Sequence, residues 1–192
     1  MLPGADHLPT LDTQRLQLRW LTAADVPALF AIFGDPVVCR YWSRAPLVDI
    51  AGAEALQSEI VACFNDRSLF QWGIVERGTG AVVGTCTLAA LSPEHRRAEI
   101  GFALREAAWG RGYVTEALGE LLTFAFEVLG LHRIEADVDP RNTLSIRTLE
   151  RAGFVREGYQ RERYFLHDEW QDAVAYGLLR HEWSARRVAA TR

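Results

Sequence analysis

The chain has 192 residues, a mass of 21.6 kDa and a formal net charge of −4, which suits one domain and leaves no basic surface for general nucleic-acid binding. All 21 basic residues are arginine, so Schiff-base chemistry, pyridoxal-phosphate anchoring and a P-loop lysine are excluded. Cys39, Cys63 and Cys86 are widely spaced and the five histidines stand alone; free thiols in a reducing compartment and no metal are expected.

The start of the chain lacks a basic segment followed by an apolar stretch, and no apolar run is long enough to span a bilayer. A soluble, cytoplasmic protein without membrane partners is expected. Residues 1–12 hold two prolines and no period, and read as an arm. Arg15–Leu21 alternates as a half-buried strand. Thr22 and Asp25 then form a capping-box pattern before a helix through Val26, Leu29, Phe30 and Phe33, stopped by Gly34.

Asp35–Leu47 reads as a loop carrying Tyr41, Trp42 and Pro46, and a second helix is expected from Asp49 to about Cys63. Leu69–Glu76 and Ala81–Leu91 form a hairpin around Arg77-Gly78-Thr79-Gly80. Arg97–Leu104 is the next strand. An amphipathic helix follows, with Val114, Ala117, Leu118, Leu121, Ala125 and Val128 on one stripe, ending at Gly130. Arg133–Val138 is a strand that a helix separates from Arg97–Leu104, so the two should run parallel. Thr143–Ala152 is a helix capped by Asn142 and stopped by Gly153. Strands at about Glu157–Leu166 and Trp170–Leu179 flank a turn at His167-Asp168. Residues 13–183 make one α+β domain with a mostly antiparallel mixed sheet, a central parallel strand pair and flanking helices, and 184–192 read as a frayed tail.

Within Arg97–Leu104, Ile100, Phe102 and Leu104 share a face suited to a core. Glu99, Gly101 and Ala103 share the other, where a carboxylate stands beside two residues with almost no side chain. Trp109-Gly110-Arg111-Gly112-Tyr113 joins this strand to a helix start, whose free amides and dipole attract an anion. Thr115 replaces the third glycine of a dinucleotide fingerprint. Asn142 and Ser145 should stand beyond the carboxyl end of the parallel pair, where ligands gather.

In order, these segments resemble the GNAT acetyltransferase superfamily, in its RimJ/RimL-like branch. AEIGFALREAAWGRGYVTEAL (Ala98–Leu118) is similar to the acetyl-CoA motif, and IEADVDPRNTLSIRTLERAGFVREG (Ile134–Gly158) to the second signature. YWSRAP (Tyr41–Pro46) and TQRLQLRWLTAADVPALF (Thr13–Phe30) resemble the branch's N-terminal half. The likeness runs from about Leu11 to Trp183. One departure is Ala107, which stands at the first position of the Q/R-x-x-G-x-G/A loop.

The resemblance implies direct acetyl transfer from acetyl-CoA to a primary amine, on a protein N-terminus or a small molecule, without a metal. It implies that the backbone of Phe102, Ala103, Leu104 and Arg105 pairs with the pantetheine arm. Amides from Gly110, Arg111, Gly112, Tyr113 and Val114 would hold the pyrophosphate, and Asn142 the cofactor arm. Glu99 would be the base and Ser145 the donor to the leaving sulfur. Glu162 and Tyr164, on the late strand, remain open as alternative bases and line the acceptor side with Tyr41 and Trp42. Dimers are common among resembling proteins, which leaves a homodimer open. Two other readings stand beside this one: a non-catalytic acyl-CoA-binding module, and a ping-pong acyltransferase with a cysteine nucleophile.

Overall fold

The strands are β1 (Leu11–Asp12), β2 (Leu16–Trp20), β3 (Leu69–Glu76), β4 (Ala81–Ser92), β5 (Arg97–Leu104), β6 (Arg133–Val138), β7 (Val155–Leu166) and β8 (Glu169–Leu179); burial alternates along β2 and β6, runs almost unbroken through β3 and most of β4, and is nearly absent from β7. The computed structural model describes residues 6–166 and 168–190, and within them these strands form one sheet in the order β1-β2-β3-β4-β5-β6-β8-β7. The helices are α1 (Val26–Phe33), α2 (Pro36–Cys39), α3 (Ile50–Asn65), α4 (Tyr113–Thr123), α5 (Thr143–Ala152) and α6 (Arg180–Ala190). Among the described residues only β5 and β6 pair in parallel, with α4 between them in the chain.

The sheet buries both faces. Leu18, Trp72, Val83, Ile100 and Leu104 pack with Leu118, Leu121 and Phe124 in the α4-side core. On the other face Val75, Val82 and Ala103 pack with Leu29, Ile32 and Ile60 of α1 and α3. The register places Gln71, Thr87 and Gly101 across from one another on this second face. Gln71 and Thr87 are buried polar residues, so the face that apolar side chains would normally fill is partly polar beneath α3.

The feature that positions the site is an opening in the sheet. β5 pairs with β6 only at Arg97, Ala98 and Glu99, opposite Arg133, Ile134 and Glu135. Beyond Glu99, β5 continues to Leu104 with β4 alone, and β6 continues to Val138 with β8 alone. A bulge in β4 between Ala89 and Ser92 lies across from the paired stretch of β5; an extra residue there bends the strand and increases its twist.

Several boundaries differ from the sequence expectation, each for a local reason. The expected loop 35–47 contains α2, whose first turn Asp35 caps by accepting a hydrogen bond from the Val37 amide at 2.8 Å. The single helix expected through Val128 changes at Phe124 into a π turn over Phe124–Val128, closed by the Leu129 amide on the Phe124 carbonyl at 3.0 Å. The wider turn buries Phe124, Ala125 and Phe126 in succession, which α spacing cannot do. The expected frayed tail from Ser184 continues α6 to Ala190. Trp183 anchors it, buried against Phe126 with ring centroids 5.1 Å apart. The N-terminal arm ends in β1, where the Pro9 carbonyl accepts from the Trp72 indole at 2.9 Å. Residues 1–5 of that arm, His167 of the predicted turn and the last two residues of the tail lie outside the described residues.

The entry to α1 is fixed by charge. Arg19 donates to both Asp25 oxygens at 2.8 and 2.7 Å, and the Thr22 amide donates to the same carboxylate at 2.8 Å. Burial alone would push the Asp25 carboxyl up, but the Arg19 and Thr22 contacts hold it below the ordinary range. The pair therefore stabilises the fold above the unfolded pKa of about 3.9 and is lost as pH falls through the depressed value. Asp25→Asn should cost about 2 kcal/mol at neutral pH, less than a fully buried pair because Arg19 is partly exposed. Urea unfolding should show the difference from wild type narrowing below about pH 4.

Candidate active site

Glu99 is the last residue of β5 paired to β6, so it stands at the apex of the opening. A cavity of about 500 Å³ begins under α3 and passes this point. Glu99 and Gly101 line it from one sheet face, Ile100 and Phe102 from the other, and Val138, Asn142, Ser145 and Leu149 from across the gap. Its lining thus includes neighbouring residues of both strand parities at the point where β5 and β6 part. A Cβ added at Gly101 would come no nearer to a neighbour than Thr87 Cβ at 3.8 Å, which leaves the strand backbone open to a ligand.

The lining is acidic. Glu59, Glu99, Asp137, Asp139 and Asp172 contribute carboxylates, and Arg44 is the one basic lining residue among the described residues. Arg44 is already matched to Glu59 by two hydrogen bonds of 2.6 and 2.5 Å. Arg141 donates to Asp139 at 2.6 Å, and the Tyr159 hydroxyl and the Glu162 amide donate to Asp172. The Tyr164 hydroxyl donates to Asp137 Oδ2 at 2.9 Å. Partial withdrawal from water pushes the Glu99 carboxyl up, and Asp137 and Glu135 push it further, against the opposing charges of Arg97 and Arg163.

Asn142 spends its side-chain oxygen on the helix: Oδ1 accepts from the Ser145 amide at 3.2 Å. The cap fixes Ser145 at the first turn of α5, where it faces the same cavity.

A second feature lies beyond the end of β5. Gly110 and Gly112 have φ of 72° and 75°, conformations that non-glycine residues rarely adopt. Nothing lies within 4 Å of a Cβ placed on Gly110. The amides of Gly110, Arg111, Gly112 and Tyr113 donate to no carbonyl among the described residues, as expected ahead of a helix start. Arg15 braces this loop from β2's leading end. Its guanidinium donates to the Arg111 carbonyl at 2.9 Å and to Glu116 at 2.6 Å, and stacks over Tyr113 at 4.9 Å. Arg111 lies 3.6 Å from Glu76, which also accepts from the Tyr113 hydroxyl.

Of the residues singled out from sequence, the cavity brings together Tyr41, Trp42, Glu99, Phe102, Asn142, Ser145 and Tyr164. Ala103 and Leu104 are buried in the two separate cores. Arg105 has a buried Nε without a hydrogen-bond partner. Gly110, Arg111, Gly112, Tyr113 and Val114 begin the α4 side rather than line the cavity. Glu162 stands exposed at an irregularity of β7 with φ of 51°, outside the lining. Sequence reading missed Asp137, Glu59 with Arg44, and the brace at Arg15. For Asp137 a signal existed, because alternation puts it on the Glu135 face of a strand expected to lie beside Glu99. Arg15 carried none, since its contacts are nearly a hundred residues away.

A mixed sheet whose parallel pair parts beside an amide-rich helix start is the architecture of acyl-CoA N-acyltransferases. The family model of the acetyltransferase (GNAT) domain matches residues 15–155, and the chain belongs to that family. It is 34% identical to the uncharacterised N-acetyltransferase p20 of Bacillus licheniformis over 181 residues, covering 92% of this chain and 99% of that protein. The spermidine N(1)-acetyltransferase of Vibrio cholerae is 24% identical, with 90% and 97% covered. Among solved structures, Mycobacterium smegmatis RimJ in complex with CoA-disulfide superposes with a TM-score of 0.83 at 25% identity, covering 96% of this chain and 95% of that one. The chain is thus an acetyl-CoA-dependent N-acetyltransferase of the GNAT type, with a likeness to the RimJ branch. No described helix is long and apolar enough to cross a membrane.

The thiols differ sharply. Cys86 is fully buried in the α4-side core and burial pushes its pKa well up. Cys39 is buried as well, and burial with Asp35 nearby pushes it up to about 11. Cys63 lines the cavity and is partly exposed. Iodoacetamide at mildly alkaline pH should therefore modify Cys63 first, as read by mass spectrometry, with Cys39 and Cys86 protected until the chain unfolds.

Proposed function

We propose that the chain moves the acetyl group of acetyl-CoA directly onto a primary amine held in the cavity beneath α3, with Glu99 as base. The observation that carries this reading is the cavity where β5 and β6 part, with Glu99 at its apex. The α4 side offers an open strand edge at Ile100–Phe102, ending where the Trp109 indole donates to the Leu104 carbonyl, and an open amide loop at Gly110–Tyr113, which fit an extended pantetheine arm and a pyrophosphate. The α3 side offers an acidic pocket, which fits an acceptor that arrives as an ammonium ion. The two substrates would meet at the gap from opposite faces.

An ammonium nitrogen has no lone pair for attack. In the proposed step Glu99 accepts one ammonium proton, and the freed nitrogen pair attacks the thioester carbonyl carbon. That carbon's π pair moves onto oxygen, where a β5 amide near Ala103 and Leu104 can stabilise it. On collapse the C–S bond breaks and the nitrogen's surplus proton passes to the sulfur, while the Ser145 hydroxyl holds the departing thiolate by a hydrogen bond and keeps its own proton. The products are the amide, the free thiol of CoA and one proton, released when Glu99 returns to its ionised form. A carboxyl raised above its ordinary value is a better base while ionised, and activity should fall as pH drops through that raised value.

The acceptor class is a primary amine carried as a cation, whether a polyamine-like molecule or a basic protein N-terminus. The net negative pocket supports this, as does likeness to proteins named for spermidine and for RimJ. A cysteine route is disfavoured because Cys63, the partly exposed thiol, has no histidine beside it in the cavity lining among the described residues.

Glu99→Gln keeps shape and removes basicity. Thiol release with a panel of primary amines should fall about 10²–10⁴-fold near neutral pH, and the deficit should shrink as pH rises and more acceptor is neutral. Calorimetric affinity for acetyl-CoA should stay near that of wild type. Equal turnover of variant and wild type at every pH would remove Glu99 from the reaction. Independently, Gly112→Asp places a carboxylate in the amide loop, where its Cβ meets Arg15 Nη2 at 3.6 Å. It should weaken acetyl-CoA binding at least tenfold by calorimetry, as like charge then faces the pyrophosphate. Unchanged binding would place the pyrophosphate elsewhere.

A further inference from the structure

We propose that Asp137, on the β6 wall of the gap and held by the Tyr164 hydroxyl, is the carboxylate that receives the acceptor's ammonium group, with Glu99 facing it from β5. The proposal rests on the amine-acceptor reading above and assigns the binding half of the task to a different side chain. Glu99 would take the proton and Asp137 would supply the counter-charge.

Register places the two carboxylates. Glu99 pairs with Glu135 in the parallel ladder, and side chains two apart on a strand share a face. Asp137 is therefore the next same-face residue of β6, just past the point where the strands part. Glu135 cannot serve, because Arg97 and Arg133 both donate to it. Asp137 has one oxygen engaged, Oδ2, by Tyr164 at 2.9 Å and by Arg163 at 4.0 Å. Its Oδ1 makes no hydrogen bond among the described residues, and neither does the Glu99 carboxylate. Both line the cavity.

The other charges facing the pair do not neutralise it. Arg97 on β5 is committed to Glu135, and Glu135 itself adds negative charge from β6. Asp139 at the end of β6 and Asp172 on β8 add more, the former tied to Arg141. Glu59 on α3 is matched by Arg44. On β7, Arg163 is half-exposed and stands at the limit of ion-pair distance from Asp137. Two carboxylates across a narrow gap repel, and a single ammonium between them removes that repulsion while donating hydrogen bonds to both. Hydrogen bonds from two N–H groups to the two carboxylates would hold the nitrogen at the gap, with the C–N bond pointing back into the cavity.

A purely structural role is the competing account: Asp137 would clip β7 to β6 through Tyr164 and do nothing else. The two accounts predict opposite orders for two variants. Asp137→Asn keeps an oxygen that can accept from Tyr164 but removes the charge. Tyr164→Phe keeps the charge but removes the clip. The side-chain carboxyl of Glu99 would be followed by 13C NMR across pH in wild type and both variants, alone and with saturating propylamine as the probe.

In wild type, propylamine should move the Glu99 titration to lower pH, since a bound cation favours the ionised pair. In Asp137→Asn without amine, that titration should already lie about one pH unit lower, and propylamine should move it little further. In Tyr164→Phe, Glu99 should titrate close to wild type and keep most of its response to the amine. Failure of propylamine to shift wild-type Glu99, or an Asp137→Asn titration like that of wild type, would overturn the proposal. A larger change in Tyr164→Phe than in Asp137→Asn would overturn it in favour of the clip. Absence of acetyl transfer to primary amines by wild type with this coupling intact would instead defeat the amine-acceptor reading while leaving the ammonium site.

Discussion

The structure depends on a parallel strand pair that stops pairing after three residues. Every polar backbone group left unpaired inside a protein costs free energy, so a sheet that opens in its middle is stable only if something else meets the freed groups. Water can reach the edge of β5 from Ile100 to Phe102 because the cavity lies there. The cost of the opening is thus tied to its use: a ligand that adds as a strand recovers the hydrogen bonds that β6 forgoes. The indole of Trp109 closes the end of this edge by donating to the Leu104 carbonyl at 2.8 Å.

The root of the opening is held by arginine forks. Arg97 on β5 and Arg133 on β6 both donate to Glu135, and Arg133 also donates to Glu157 on β7. Three strands are joined by one charge network where the parallel pair is still closed. Each exposed pair alone is worth about 0–1 kcal/mol, so the network's contribution is chiefly geometric. Guanidinium groups suit this task because their donors lie in a rigid plane that engages two carboxylates at once. A chain without lysine has only such groups for its cations.

Much of this was legible in the sequence, and the limits are instructive. Alternation in Arg97–Leu104 reveals a strand with Glu99, Gly101 and Ala103 on one face, and the structure places that face toward α1 and α3. The Asn142 cap and the glycine turn before α4 are local events, set by residues a few positions apart, and local events leave local signals. The opening left none, because register between β5 and β6 is a tertiary property and their sequences read as two ordinary strands. The same holds for Trp183, whose neighbour Phe126 makes a helix of what composition suggested was a loose tail. Asp137 falls between these cases. Its face is fixed by alternation, but its meaning appears only once β6 lies beside Glu99.

The part of the cavity that would distinguish acceptors is built from the least regular segments, the loop between α2 and α3 and the β7–β8 hairpin. The loop rests on the α1 and α3 core through Trp42 and Leu47, and β8 on the other core through Val174 and Tyr176; a further contact joins the two segments. Arg141, in the turn after β6, donates to Asp139 and to Glu169 at the start of β8, and lies over the Tyr41 ring at 5.8 Å. One side chain therefore touches three walls of the acceptor pocket. The turn that carries it leads directly into α5, whose Asn142 cap and Ser145 lie in the same cavity lining, so these walls and the start of α5 share one short piece of backbone.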